Sequence, residues 1–183
     1  MSLRMRFLQS ALLCSSLIAS PAIGQKAPRG APDVHWEPSP PEVVTAMLTL
    51  ADLKKNDVVY DLGCGDDRIV IAAAREFGAR GVGIDIDPQR ISESKINARK
   101  AGVTRRAKFR EEDLFNADIR KATVVTLFLW PSLNLKLLPR LRAELKPGTR
   151  IVSYIHNMGD WEPEKEVRVN GRRILLWIIP PRK

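Results

Sequence analysis

The sequence is short of cysteine and of aromatic residues, and each shortage excludes a class of protein. Two cysteines, Cys14 and Cys64, are too few for the disulfide framework of a small secreted scaffold. Aromatic residues make up 6% of the chain, too few for a platform on which successive nucleotides stack. Cysteine and histidine residues nowhere have the spacing of metal ligands, so we predict no metal site. Beyond residue 30 there is no run of about 18 apolar residues, so we expect no membrane span in the mature chain.

Blocks of like charge are also missing, although the chain is basic overall. With 30 Lys and Arg residues against 21 Asp and Glu residues, the formal net charge is +9. The basic residues are dispersed rather than gathered into runs of about five or six, which are typical of nucleic-acid-binding tails. We interpret the excess as a solvated basic surface. We therefore expect no specific nucleic-acid partner, and we expect a monomer.

The N-terminal residues have the three-part order of a secretory signal. Arg4 and Arg6 precede the uncharged run 7–18, and small residues are frequent over 19–24. This order is typical of a signal peptide with its cleavage site. We therefore predict a signal peptide over residues 1–24 and an exported, periplasmic protein.

Two other readings of this segment stay open. No acidic residue precedes Asp33, which is also typical of a mitochondrial transit peptide. An uncleaved signal would instead retain the protein at the membrane. Removal of the signal takes away Cys14 and leaves Cys64 alone, so the folded chain must depend on a hydrophobic core rather than on an internal disulfide.

Apolar periodicity predicts an α/β domain over residues 42–183, preceded by an extended arm rich in Pro, Ala and Gly over residues 25–41. Strands and helices alternate through the fifth strand, which predicts parallel pairing with helices on both faces. Asn170-Gly171 is a strong hairpin signal and predicts a terminal antiparallel pair. The predicted fold is a Rossmann-like doubly wound sheet, mostly parallel, with a C-terminal antiparallel β-hairpin. The predicted helices cover 43–51, 68–77, 88–101 and 133–145, and the predicted strands cover 58–60, 81–84, 107–110, 123–129, 151–154, 166–169 and 172–179.

The loop after the first predicted strand combines an acidic residue with two glycines. Gly63 and Gly65 let the backbone turn tightly and approach a ligand without a Cβ in the way. The helix that follows offers unpaired N–H groups at its N-terminus. A dinucleotide fingerprint would have Gly or Ala at position 68, so Arg68 argues against a nicotinamide oxidoreductase.

Acidic residues also end the second and third predicted strands. Asp85 follows Gly65 by about 20 residues, the spacing at which a carboxylate accepts hydrogen bonds from ribose hydroxyls. Asp113 is placed to accept a hydrogen bond from the exocyclic amine of adenine, and Ile86 and Leu114 are placed to flank the ring. Each of these acids, taken alone, would be interpreted as a solvated charge on a loop. Three such loops in register indicate an adenosyl-binding site.

This set of motifs resembles the class I S-adenosylmethionine-dependent methyltransferases, from about Trp36 to Pro180. More narrowly, the chain is similar to small bacterial methyltransferases related to mitochondrial protein-lysine methyltransferases. That narrower resemblance rests on Pro38–Val44, on Trp130-Pro131 and on Met158–Trp161. The motifs of the wider class are Asp61-x-Gly63-x-Gly65, Gly83-Ile84-Asp85 and Glu112-Asp113-Leu114.

The resemblance implies S-adenosylmethionine as cofactor and gives each loop a role. The implied cofactor-binding residues are Asp61, Gly63, Gly65, Asp85, Ile86, Asp113 and Leu114, with Asp61 at the methionine end. Trp130 and Pro131 would shape the acceptor side and are the catalytic candidates, and the arm over 38–41 would close over the site. One departure is Asp67, which stands where the narrower group has glycine; its charge would sit where the carboxylate of the cofactor approaches.

The implied activity is N-methylation of a protein lysine. Two alternatives remain open from the sequence: a small-molecule methyltransferase, and a non-catalytic protein that binds S-adenosylmethionine. Asp67 and the export signal favour the second alternative, because an exported protein has no obvious supply of this cofactor. No general base is assigned, and His156 is interpreted as a polar loop residue.

Overall fold

Short aliphatic and β-branched runs form the strands of one sheet. The computed structural model of the chain describes residues 37–182, so the predicted signal peptide (1–24) and the predicted arm over 25–36 lie outside the described residues. The strands are β1 (Val58–Leu62), β2 (Arg80–Asp85), β3 (Ala107–Glu111), β4 (Val124–Leu127), β5 (Arg150–Tyr154), β6 (Lys165–Val169) and β7 (Arg172–Ile178). The helices are α1 (Pro41–Leu50), α2 (Arg68–Glu76), α3 (Pro88–Lys100) and α4 (Pro131–Glu144).

The order of strands in the sheet is β3-β2-β1-β4-β5-β7-β6. The first five strands pair in parallel, and β7 inserts antiparallel between β5 and β6. This topology confirms the predicted Rossmann-like sheet and its terminal antiparallel hairpin. The strands β2 and β3 lie on one side of β1, and β4 and β5 lie on the other, so the strand order reverses between β1 and β4. Ligands of doubly wound sheets bind at the carboxyl ends of the strands beside such a switch point.

Helices cover both faces of the sheet, as predicted. On one face α1 and α2 bury an aliphatic layer that includes Met47, Leu48 and Val59, and α3 packs beside α2. On the other face α4 buries Leu137 and Leu141 against a layer that includes Trp177. The helix α4 continues past Pro139, although this proline removes one backbone hydrogen bond. The buried leucines on both sides of Pro139 keep this part of the chain packed against the sheet. No helix between residues 37 and 182 combines the length and the hydrophobicity needed to cross a membrane.

The connection from β3 to β4 differs from the predicted alternation of strands and helices. Residues 112–123 form turns rather than a helix. The segment must run from the edge strand β3 past two strands to β4, and it lacks a helical apolar repeat. Instead, Ala117, Ile119 and Ala122 anchor it in the core that α4 covers.

The α4 layer can be tested with a pair of leucines on one helix. We expect Leu137→Ala to lower the free energy of unfolding by about 2–5 kcal/mol, because Leu137 is fully buried and its removal leaves a cavity. Leu135 is 49% exposed, so Leu135→Ala is expected to cost less than about 1 kcal/mol. Urea unfolding of both variants measures the difference. Equal costs would contradict the orientation of α4.

Candidate active site

A cavity of about 1250 Å³ opens at the carboxyl ends of the parallel strands, beside the switch point. The loops after β1 to β5 and residues 37–39 of the arm line it. Gly65 and Pro131, which the sequence also singled out, do not line the wall. The structure brings most of the predicted site residues together there: Asp61, Gly63, Asp85, Ile86, Asp113, Leu114 and Trp130.

The loop after β1 is closed by a contact that only glycine permits. Gly63 has a φ of +82°, and a Cβ at this position would lie 2.9 Å from Leu129 Cδ2. The N–H groups of Gly63 and Cys64 both donate to the carbonyl of Ile84, at 2.8 and 3.0 Å. The loop is thereby fastened to the end of β2, and its backbone forms the floor of the cavity.

Asp85 joins the loops after β1 and β2. Its carboxylate accepts hydrogen bonds from the N–H groups of Gly65 and Asp87, each at 2.9 Å. These bonds fix the orientation of the carboxylate, which lines the cavity. Each carboxylate oxygen keeps a second acceptor site, so Asp85 can receive two further hydroxyl donors. Gly65 therefore contributes to the site indirectly, by holding Asp85.

Asp61 is a buried acid at the end of β1. Thr126 Oγ1 donates a hydrogen bond to its carboxylate at 2.8 Å. Burial raises the pKa of Asp61 to about 7, against the lowering effect of the Thr126 hydrogen bond, and the negative charges of Asp85 and Asp66 raise it further. At neutral pH the carboxyl group of Asp61 is therefore partly protonated, and a cation that binds beside it would lower its pKa and displace the proton.

The loop after β3 is held by a residue that the sequence analysis did not identify. Arg140 of α4 donates to the carbonyls of Leu114, Phe115 and Ala117, and pairs with Glu144 through both of its carboxylate oxygens. The spacing of Arg140 and Glu144 along a predicted helix was a visible signal for the ion pair. The carbonyl partners were not, because they depend on how α4 packs. Arg140 thus fixes the wall that presents Leu114.

Asp113 also lines this wall, and its own turn uses both of its oxygens. One accepts from the N–H of Phe115 at 2.9 Å and the other from Asn116 Nδ2 at 3.1 Å. As with Asp85, second acceptor sites remain for a ligand amine. The carboxylate therefore both shapes the loop and faces the cavity.

Acidic side chains outnumber basic ones on the cavity wall, in a chain whose net charge is +9. Arg68 is already engaged, because it pairs with Asp66 and donates to the carbonyl of Ser39 at 2.8 Å. This balance favours a cationic ligand and disfavours a pyrophosphate. The acidic residues of the wall are Glu37, Asp61, Asp66, Asp85, Asp87 and Asp113, and the basic ones are Arg68, Arg90 and Lys136.

Asp67 points away from this cavity. It adopts a φ of 60°, as a glycine at this position would, and its Oδ1 accepts from the N–H of Val70 at the start of α2. The other oxygen lies against Gly83, where a Cβ would come within 1.6 Å of it. Asp67 is fully buried, and burial raises its pKa well above the usual range. The expectation that its charge faces the cofactor is therefore wrong: its carboxyl group caps α2 in the space that Gly83 leaves, and burial favours the protonated form.

Three aromatic rings form the opposite side of the cavity. The ring of His156 is nearly parallel to the rings of Phe128 and Trp130, with centroid distances of 6.5 and 6.0 Å and interplanar angles of 16° and 18°. Trp130 is 57% exposed at the start of α4. We call these three residues the aromatic stack. Trp130 was predicted; Phe128 and the stacked position of His156 were not, since they follow from the adjacency of β4 and β5.

The fold and this cavity define a class I S-adenosylmethionine-dependent methyltransferase. Residues 61–165 match the ANTKMT methyltransferase domain, and the chain belongs to that family. A crystal structure of an RNA methyltransferase from Salinibacter ruber, in complex with S-adenosyl-L-homocysteine, has a TM-score of 0.79 and 52% identity. That comparison covers 80% of this chain and 96% of the other. The resemblance inferred from the sequence is confirmed.

Two curated relatives are described as lysine methyltransferases. A protein-lysine N-methyltransferase from Saccharolobus islandicus is 42% identical over 157 residues, which are 83% of this chain and 98% of that protein. The adenine nucleotide translocase lysine N-methyltransferase from Mus musculus is 35% identical over 66% of this chain and 53% of its own length. The chain therefore spans nearly all of the archaeal relative and about half of the mouse one.

The buried cap at Asp67 predicts a pH-dependent stability. An acid whose pKa is raised by folding stabilises the native state most at low pH, and this contribution is lost as pH rises from about 4 towards the folded pKa, at up to about 1.4 kcal/mol per pH unit. We expect Asp67→Asn to remove this loss, because asparagine stays neutral and tolerates the left-handed backbone. The variant should therefore be more stable than the parent at pH 8, with a smaller difference at pH 5.

Urea unfolding between pH 5 and pH 8 measures this effect. Asp87→Asn is the matched control, because Asp87 also caps a helix but its side chain is 32% exposed. The control should keep the pH dependence of the parent. If Asp67→Asn keeps it too, Asp67 is not a buried neutral acid.

The hydrogen bonds from Arg140 to the carbonyls of the β3–β4 loop, which we call the Arg140 clamp, give a prediction for cofactor binding. Weakening the clamp should lower the affinity for the cofactor and leave the protein folded. Arg140→Lys keeps a positive charge beside Glu144 but cannot reach three carbonyls, so the wall at Leu114 should loosen. We expect S-adenosylhomocysteine to bind about tenfold more weakly, as measured by calorimetry. Arg142→Lys is the control on the same helix, because Arg142 packs over Trp161 instead of lining the cavity. Equal affinities of the two variants would contradict the clamp.

Proposed function

We propose that the protein transfers a methyl group from S-adenosylmethionine to the side-chain amine of a protein lysine. The observation that carries this proposal is the cavity itself: an excess of carboxylates inside, and exposed Trp130 at the rim. A cationic cofactor and an amine acceptor both suit such a site. The family, and relatives described as lysine methyltransferases, support the same acceptor.

The residues on the wall fit the cofactor. The glycine floor at Gly63 leaves no room for a Cβ, the fixed carboxylate of Asp85 can accept from ribose hydroxyls, and buried Asp61 suits the ammonium of the methionine end. Ile86 and Leu114 are apolar surfaces for the adenine ring. When bound, S-adenosylmethionine supplies a methyl group on a positively charged sulfur. The task of the chain is to hold the acceptor nitrogen in line with that group, which can contribute several orders of magnitude in rate.

The acceptor would enter past the aromatic stack. Pro131 occupies the first turn of α4 and fixes the direction of the helix, so that Trp130 stands at its cap. In the described part of the chain, residues 155–164 between β5 and β6 contain no helix, which leaves this rim open. An aromatic face attracts a cationic amine, and the aliphatic stem of lysine packs on it.

RNA is a second candidate acceptor, because the Salinibacter ruber protein that is 52% identical is described as an RNA methyltransferase. The basic net charge of +9 also suits a polyanion. The carboxylates on the cavity wall oppose this candidate, since they repel phosphates near the reacting group. A small molecule is a third acceptor class, and a protein that binds the cofactor without turnover is the remaining alternative.

One experiment separates these acceptors. The purified protein is incubated with extract of the source cells and S-adenosylmethionine that carries tritium in its methyl group. Portions of the labelled mixture are then treated with protease, treated with nuclease, or separated by size filtration. We expect the label to resist nuclease and to appear as methyl-lysine after acid hydrolysis. Label released by nuclease, or label of low mass, would overturn the lysine proposal. Cofactor binding with no label in any fraction would identify a non-catalytic binder.

Export remains a proposal of its own, because the predicted signal lies outside the described residues. We propose that residues 1–24 direct the chain to the periplasm. Cell fractionation with N-terminal sequencing tests it: a periplasmic chain that starts at Gln25 supports export. A full-length chain in the membrane fraction, or a chain in the cytoplasm, contradicts it.

The role proposed for Asp85 gives a direct prediction for binding. Asp85→Ala should weaken S-adenosylhomocysteine binding by about 10- to 100-fold, because a charged hydrogen-bond acceptor is lost. Asp85→Asn keeps one acceptor oxygen and should fall between the parent and Asp85→Ala. Asp118→Ala, on the loop between β3 and β4 and away from the cavity wall, is the control. Calorimetry measures all four proteins, and an unchanged affinity in Asp85→Ala would show that the ribose is held elsewhere.

A further inference from the structure

His156 occupies a position that costs backbone energy to maintain. The preceding residue, Ile155, has a φ of 68°. A β-branched side chain is strongly disfavoured in this left-handed region. The strain lies directly after β5 and turns the chain so that His156 enters the aromatic stack and lines the cavity. Strained residues of this kind cluster at functional sites.

A lysine acceptor needs a group near it that can accept a proton, and His156 is placed to be that group. A lysine side chain has an ordinary pKa of about 10.4, so at neutral pH it arrives as an ammonium without a free lone pair. The carboxylates deeper in the cavity are the ones proposed to hold the cofactor: Asp61 suits its ammonium, and Asp85 can accept from its ribose hydroxyls. His156 is the one imidazole among the described residues, and it stands on the acceptor side.

The surroundings of His156 keep its imidazole in the form that accepts a proton. The rings of Phe128 and Trp130 stack on it, and burial lowers the pKa of His156 below the ordinary value of 6.5. At pH 7 the ring is therefore neutral, with one unprotonated nitrogen. The titratable groups that line the same cavity are the acids Glu37, Asp61, Asp66, Asp85, Asp87 and Asp113, the bases Arg68, Arg90 and Lys136, and the thiol of Cys64.

We propose that His156 accepts the proton that an incoming lysine ammonium must lose before it can react. This proposal rests on the proposed function. The N–H bond of the ammonium breaks, its electron pair stays on nitrogen as the lone pair of the nucleophile, and the proton moves to the unprotonated nitrogen of the imidazole. The imidazolium then passes the proton to solvent at the open rim beside Trp130. The aromatic stack holds the ring in place, and the strain at Ile155 is the cost of that placement.

His156→Phe tests this role, because phenylalanine keeps a ring in the stack but has no nitrogen. We expect methylation of a lysine acceptor to slow by about 100-fold at pH 7, the size of a general-base contribution. The deficit should shrink towards pH 10, where the acceptor loses its proton to solvent. S-adenosylhomocysteine should bind the variant as it binds the parent, since Asp61 and Asp85 are unchanged. His156→Gln, a second variant of similar polarity, should show the same pH-dependent deficit.

A measurement without turnover gives independent evidence. The chain has two histidines, so the imidazole signal that His156→Phe removes from an NMR spectrum belongs to His156. In the presence of S-adenosylhomocysteine, a lysine peptide should shift that signal, and a peptide with alanine in place of the lysine should not.

The outcomes distinguish the two proposals. If the parent methylates no lysine, the proposed function fails and the role of His156 fails with it. If the parent methylates lysine and His156→Phe keeps its rate at every pH, only the role of His156 is overturned. An imidazole signal that ignores the lysine peptide overturns that role as well.

Discussion

The fastening of the β1 loop to the end of β2 is the constraint on which the site depends. Gly63 and Cys64 donate to the carbonyl of Ile84, and Gly65 donates to Asp85. These bonds require a backbone that turns through left-handed conformations with no Cβ over Leu129. Together they set the floor of the cavity and the direction of the carboxylate of Asp85. A bulky residue at position 63 would therefore disturb the floor and the carboxylate together.

A second constraint lies below this loop, where Asp67 and Gly83 fit each other. The carboxyl group of Asp67 fills the space in which Gly83 has no side chain, and it caps α2 from inside the protein. Burial favours its neutral form. The negative charge of the site therefore comes from the acids on the cavity wall rather than from Asp67. Asp67 in place of glycine therefore changes the packing beneath the β1 loop, and it does not change the cavity wall.

Much of the fold could be predicted from local patterns. Short segments rich in apolar or β-branched residues marked most of the parallel strands, and Asn170-Gly171 marked the terminal hairpin. The predicted helices left the β3–β4 connection without a helix, as the structure has it, and only the general expectation that strands and helices alternate failed there. For the site, acids and glycines after successive strands were enough to predict one cavity, since parallel strands end at one edge. The direction of Asp67, the clamp by Arg140 and the aromatic stack depend on packing between distant segments, which spacing does not reveal.

The central claim is that carboxylates at the strand ends, with Asp61 as the deepest, hold a cationic adenosyl compound. The pKa of Asp61 is raised to about 7 in the free protein, so a cation that binds beside it must displace a proton. Calorimetric titration with S-adenosylmethionine at pH 7, in two buffers of different ionisation enthalpy, counts that proton. The account predicts release of a measurable fraction of a proton per site by the parent and none by Asp61→Asn. Binding without proton release by the parent, or no binding at all, would contradict it.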